Sequence, residues 1–319
     1  MMGSAAKDVG NIELALKYWG EAAAQGDAEA AYQLGRMYYY ADGVEKDEAA
    51  AFEYFMMGAQ QDHAKAQYAV GVCYEKGRGT DADSAAALEW YRKAAEQNVA
   101  EAAQQAGTIL CDSGDYAAAM EWYLKSYEQG HKAAANQIGA LYTEGHGVER
   151  DYKKALQWFH IADEAGSEAA KYNIGVRYKL GQGVEQDYAA AIEWFMKRLE
   201  AEPNHVKSMD HIGQMYMEGG YGIEKDYAAA LEWLTKAYEN GVAGAAYRNG
   251  VICWHGGFGV EQDYTASLEW FMKAAETGDA SAMYWVGEIY RRGLTGEADE
   301  ALADEWLAKA IANGYAPDN

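Results

Sequence analysis

Apolar side chains return along this chain at helical spacing in short runs, and the runs come in pairs joined by glycine-rich connections. The pattern is copied nearly word for word. "GHGVERDYKKALQWF" runs from Gly145 to Phe159, and "GQGVEQDYAAAIEWF" from Gly181 to Phe195, 36 residues later. Alignment on this stretch divides residues 27–314 into eight units that start at Asp27, His63, Val99, His131, Ser167, His205, Val242 and Asp279. A half-unit, Asn11 to Gly26, precedes them. A period of this size predicts a solenoid whose unit is a pair of helices, since one pair cannot bury its own apolar faces.

Each unit reads physically. The first helix holds a small residue at its fourth place, as Ala30, Ala66, Ala102, Ala134, Ala170, Ser208, Ala245 and Ala282. Its ninth place is glycine throughout: Gly35, Gly71, Gly107, Gly139, Gly175, Gly213, Gly250 and Gly287. Glycine inside a helix costs about 1 kcal/mol relative to alanine. Its recurrence therefore implies an approach between helices that a side chain would block. A glycine-rich loop follows, and an aspartate then opens the second helix: Asp47, Asp83, Asp115, Asp151, Asp187, Asp226, Asp263 and Asp299. A carboxylate there accepts from free amides and faces the positive end of the helix. The second helix carries an aromatic at one fixed place, among them Trp19, Tyr54, Trp90, Trp122, Trp158, Trp194, Trp233, Trp270 and Trp306, which is expected to anchor the core.

The combination A-x₄-G-x₂-Y, G-x-G-V-x-x-D and W-x₃-A-A-x-x-G resembles the Sel-one-like repeat, a relative of the tetratricopeptide repeat. The third unit departs, because "CDSGDY" (Cys111–Tyr116) lacks the G-x-G-V insertion. The resemblance implies an all-α, right-handed superhelical solenoid of antiparallel helix pairs, and a role as a non-enzymatic adaptor. It implies that the first helices line a concave groove, with places 3, 6, 7, 10, 13 and 14 pointing inward. Some secreted members of the family carry a cysteine pair in each repeat, which this chain lacks. A few members have been linked to β-lactam antibiotics, so the alternative function is a hydrolase or β-lactam-binding enzyme on the same scaffold. The one S-x-x-K match, Ser4–Lys7, has no partnering motif.

Composition narrows the partners. The 319 residues carry a formal net charge of −23. Nucleic acid and anionic membrane surfaces need neutralising Lys and Arg, so both are disfavoured. Cys73, Cys111 and Cys253 form neither a disulfide framework nor a metal spacing, which points to a reducing cytoplasm. Secretion or a periplasmic location stays possible should a leader have been removed. Residues 1–10 read as a disordered tail or vector-derived remnant and 315–319 as a short tail. The half-unit 11–26, with Leu16 and Trp19 on its apolar face, predicts self-association or a preceding segment. No cofactor, metal or catalytic constellation is expected. "CWH" at Cys253–His255 with His211 falls short of the three or four convergent ligands zinc requires.

In a solenoid the positions that vary face solvent or a partner. Two groups at the inward places stand out. Gln104, Gln105, Asn136, Gln137 and Asn173 form an expected amide strip, able to donate to and accept from an extended peptide backbone. The last three units offer His211, Gln214, Tyr247, Arg248, Trp254, His255, Tyr284, Trp285 and Arg291, with Asp210, Met217, Glu288 and Arg292 beside them. Trp, Tyr and Arg are enriched in binding hot spots, and arginines on an inner face suit a partner's carboxylate. Tyr221 and Phe258, inserted in the longer cap loops, lie in the same region of the sequence.

Overall fold

A computed structural model describes residues 12–316 of the chain. The chain divides into two compact units, residues 1–167 and 168–319. The first holds α1 (Ile12–Ala24), α2 (Ala28–Tyr40), α3 (Glu48–Ala59), α4 (Ala64–Lys76), α5 (Ser84–Glu96), α6 (Ala100–Asp112), α7 (Tyr116–Glu128), α8 (Ala134–Glu144) and α9 (Tyr152–Glu164). The second holds α10 (Glu168–Leu180), α11 (Tyr188–Ala201), α12 (Val206–Glu218), α13 (Tyr227–Glu239), α14 (Ala243–His255), α15 (Tyr264–Glu276), α16 (Ala280–Arg292) and α17 (Glu300–Ala312). Among the described residues there is no β-strand, and no helix is long and apolar enough to cross a membrane. Within each unit every helix packs on the next, as expected of an all-α solenoid of helix pairs. The expected tail at 1–10 and the Ser4–Lys7 match lie outside the described residues, as do residues 317–319.

The ninth-place glycines explain the tight pairing. A Cβ on Gly35 would stand 2.5 Å from the Phe55 ring, and one on Gly175 would stand 2.8 Å from the Phe195 ring. Both distances are well inside ordinary carbon contact of about 3.5–4.0 Å. The ring that fills this slot is not the tryptophan that the sequence pattern singled out. It is the next residue, Phe55, Tyr91, Tyr123, Phe159, Phe195 or Phe271, with Leu234 and Leu307 serving in two units. Phe195 is fully buried, and Tyr91 is too.

The preceding tryptophan lies one helical step around, about 100° away. There it covers the second helix of the preceding repeat. Trp158 meets Tyr127 edge-on at 5.0 Å, and Trp270 meets Tyr238 at 5.5 Å. A lysine three residues on closes over the outer ring face in six repeats, as in Lys93 on Trp90 (4.1 Å) and Lys273 on Trp270 (4.0 Å). Trp19 differs, being buried in the first cluster with Ala15, Leu34 and Met37.

The eight aspartates cap as their spacing implies. Asp47 accepts from the Ala50 amide at 2.9 Å and Asp263 from Ala266 at 2.9 Å, each carboxylate satisfying a donor the helix leaves free. His63 caps α4 through its ring, accepting from Ala66 at 3.1 Å. The inserted loop residues dock on the first turn of the preceding second helix. The Tyr221 carbonyl accepts from the Tyr188 amide at 2.7 Å, and the Phe258 carbonyl accepts from the Tyr227 amide at 2.9 Å. Their rings lie on Tyr188 and Tyr227, 4.9 and 5.0 Å away.

Candidate binding face

Places 4 and 9 of the first helices are buried against the partner helix, whereas places 6, 7, 10 and 13 are mostly only half-buried, touching partner-helix rings on one side, as Tyr32 touches Phe55 and Tyr247 touches Phe271, and leaving the other side open. The structure shows how these places meet between neighbouring repeats. Place 13 of one repeat lies against places 7 and 10 of the next. Lys179 donates to His211 at 3.0 Å and to Gln214 at 2.9 Å. Trp254 lies 4.9 Å from Trp285. Glu75, Gln105 and Thr108 share a cleft of about 320 Å³ with Asp112.

In the first unit the amide residues divide. Gln105 lines that cleft, while the side-chain oxygens of Gln104 and Gln137 are buried with no hydrogen-bond partner. A buried acceptor without a donor is costly, about 1–3 kcal/mol. Asn136 is half-buried in α8, and Asn173 belongs to the second unit.

The second unit holds a polar network. Tyr172 Oη lies 3.2 Å from His211 Nε2, and Lys179 sits on the other ring nitrogen, so Nδ1 accepts and Nε2 carries the proton. Burial first, then the charges of Lys179 and Arg248, lower the His211 pKa to about 4, so the ring is neutral at pH 7. Burial also lowers the Lys179 pKa, opposed by Glu218 and Asp210. Gln214 donates onward to Asp210 at 2.6 Å, and Arg248 donates to the same carboxylate at 2.6 Å.

The arginines expected to receive a partner's carboxylate already hold carboxylates of this chain. Arg248 pairs with Asp210, Arg291 with Asp304 at 3.1 Å, and Arg292 with Glu288 at 2.8 Å. Arg292 lies over the Trp254 ring, at 6.0 Å. Both tryptophans are partly core: Trp254 meets Tyr264 at 5.0 Å and Trp285 lies parallel to Phe271 at 6.1 Å. Tyr247 packs on Phe271, and Tyr284 stacks on Tyr315 at 4.4 Å. His255 is exposed at the end of α14. Burial raises the Cys253 thiol pKa, and among the described residues no group of three or more His, Cys, Asp or Glu is placed to hold a metal ion.

The richest part of this face is one the sequence reading passed over. Tyr32, Arg36, Tyr39 and Tyr40 of α2 meet Lys65, Tyr68, Ala69 and Val72 of α4 around a cavity of about 100 Å³, with Phe55 as its floor. The signal was present: places 6, 10, 13 and 14 of the first full repeat read Tyr, Arg, Tyr, Tyr.

Comparison with known proteins agrees with this geometry. A protein-family model described as "Sel1 repeat" matches nine segments: 3–27, 28–63, 64–99, 102–131, 132–167, 168–197, 206–242, 243–279 and 280–315. No curated protein matches the chain. Among solved structures it is similar to c5321, a protective antigen of uropathogenic Escherichia coli strains displaying an SLR fold, at 33% identity and a TM-score of 0.80. That match covers 95% of this chain, which spans only 65% of the antigen's length. A Sel1 repeat protein from Oxalobacter formigenes is 28% identical with a TM-score of 0.67, the match covering 94% of this chain and 88% of that one. The glycine slots, aspartate caps and repeat-wise matches belong together, and the chain is a member of the Sel1 repeat family.

Proposed function

We propose that this chain is a non-enzymatic scaffold that holds a segment of a protein partner on the face built by the first helices of its repeats. One observation carries the proposal. Places 7, 10 and 13 of neighbouring first helices converge on open clefts, and their residue type changes from repeat to repeat, whereas place 6 is tyrosine in five of the eight units. A constant packing scheme with a varied face suits recognition of an extended segment, read a few side chains at a time. Members of this family are typically protein-interaction scaffolds, which supports the reading. The net charge of −23 disfavours nucleic acid as the partner, and the free thiols of Cys73, Cys111 and Cys253 fit a reducing compartment.

The test is capture from an extract of the source cells by the immobilised chain and two variants. One variant carries Tyr40→Glu and Gln105→Glu on the first-helix face. The other carries Lys236→Glu and Lys273→Glu on second helices. Loss of the same bound proteins from the first variant alone is expected. A bound set that the first variant leaves unchanged would sink the proposal. Self-association through α1 is a separate proposal, checked by sedimentation across a concentration series, where a monomer at every concentration refutes it.

A further inference from the structure

The tyrosine-lined cavity of the first two repeats has a chemistry that specifies its occupant. Its walls are Tyr32, Tyr39, Tyr40 and Tyr68, and two cations, Arg36 and Lys65, stand at its edge. Arg78 adds a third, its guanidinium 5.3 Å from the Tyr39 ring centre and bonded to the Tyr39 hydroxyl. Tyr40 is 67% exposed, a large aromatic surface left in water. Exposed apolar surface beside a concavity marks an interaction site more often than a lone exposed residue does.

The cations distinguish this place from the rest of the face. Among the described residues, Arg36, Lys65 and Arg78 have no carboxylate within ion-pair distance, whereas Arg248, Arg291 and Arg292 of the second unit each hold one. Glu29 and Glu48 feel Lys65 and Arg78 through space, but the direct bonds of the nearby carboxylates go to other groups. Glu29 accepts from Gln33 at 2.6 Å and bonds His63 at 2.9 Å, and Glu75 accepts from the Tyr91 hydroxyl at 2.6 Å. Arg36 lies over the Tyr32 ring at 5.9 Å. Its Nη1 donates weakly to Gln33 at 3.5 Å, and with five N–H donors the guanidinium keeps others to offer a carboxylate. In a chain of net charge −23, Arg36, Lys65 and Arg78 gather three positive charges at one aromatic hollow with no carboxylate in ion-pair contact.

Building on the scaffold reading, we infer that this cavity binds an acidic segment of a partner protein, taking one apolar side chain between the tyrosines with flanking carboxylates on Arg36, Lys65 and Arg78. The cavity of about 100 Å³ leaves room for one side chain of about leucine size. The tyrosines supply contact area, and the cations set the sign and register of the segment.

The test uses the full chain, ¹⁵N-labelled, with two peptides at 0.15 M salt: acetyl-Glu-Glu-Leu-Glu-Glu-amide and acetyl-Lys-Lys-Leu-Lys-Lys-amide. At this salt fields are screened beyond about 8 Å, and what remains of the chain's own field favours the basic peptide. A preference for the acidic one therefore comes from the cavity itself. The acidic peptide should shift the amide signals of Tyr32, Arg36, Tyr39 and Ala69 and bind more tightly than the basic one. The double change Arg36→Glu and Lys65→Glu should weaken it by roughly fivefold or more. The milder Arg36→Gln and Lys65→Gln pair should weaken it less, with the circular dichroism of both variants unchanged. Equal binding of the two peptides, or shifts confined to other repeats, overturns the inference while leaving the scaffold reading in place. Shifts from neither peptide anywhere on the first-helix face overturn the inference and count against that reading too.

Discussion

Replacing Gly250 by alanine should destabilise the chain by up to about 2 kcal/mol, although alanine is the better helix former by about 1 kcal/mol. The reason is the ring opposite. A Cβ at position 250 would stand 2.6 Å from Cδ1 and from Cε1 of Phe271, and 3.0 Å from Cγ. Ordinary contact would need the ring or the helix to retreat by about 1 Å. Phe271 has little freedom to do so, being 1% exposed and flanked by Tyr247 at 5.6 Å and Trp285 at 6.1 Å. Overpacking of this kind costs about 1–3 kcal/mol, which exceeds the gain in helix propensity. Gly20 in α1 is the control, since a Cβ there meets nothing within 4 Å among the described residues. Gly20→Ala should stabilise by about 0.5–1 kcal/mol. Urea unfolding followed at 222 nm measures both variants, with m-values compared because repeat arrays can lose two-state behaviour. A Gly250→Ala variant as stable as Gly20→Ala would refute the argument that the repeated glycine exists to admit a ring.

His211, held neutral by burial and by Lys179 and Arg248, should titrate near pH 4 in an NMR experiment. Its folded pKa lies below the unfolded value of about 6.5, so its contribution to stability is complete above that pH and declines as pH falls toward 4. A midpoint above 6 would contradict the network described. Asp263→Ala removes an N-cap that accepts at 2.9 Å and should cost about 1 kcal/mol in a urea melt, with Asp263→Asn near neutral. Trp285→Ala, which takes a ring off both Phe271 and Trp254, should cost about 1–3 kcal/mol, since the ring is only half-buried. An unchanged melting temperature would show that this tryptophan is free for a partner. Lys273→Ala should cost at most about 1 kcal/mol, the value of an exposed cation on a ring.

The architecture was legible because its causes are local and repeated. Glycine at place 9, aspartate before each second helix and the period itself each carry a steric or electrostatic reason that needs no tertiary knowledge. The core anchor was misplaced by one residue. Trp and the residue after it are both apolar, and periodicity alone does not say which of two adjacent rings faces the glycine. Only the packing shows Phe159 in the slot and Trp158 on Tyr127. Helix phase alone put Lys179, His211 and Gln214 on the first helices at places 13, 7 and 10, and the structure shows them bonded between neighbouring repeats. The chemistry of the face was not legible. Arg248 and Arg291 read as available charges along the chain, but Asp210 and Asp304 approach them from neighbouring helices, a pairing that spacing along one helix does not reveal.

The central claim is that partners are held by the face of the first helices and not by the second helices. It is tested most directly by site-specific photocrosslinking in the source cells. A benzophenone amino acid is placed at Tyr40 in the first-helix face, and separately at Met196 and Met272, exposed residues of α11 and α15. The account predicts discrete partner adducts from position 40 and none from positions 196 and 272. Adducts from 196 or 272 with none from 40 would contradict it.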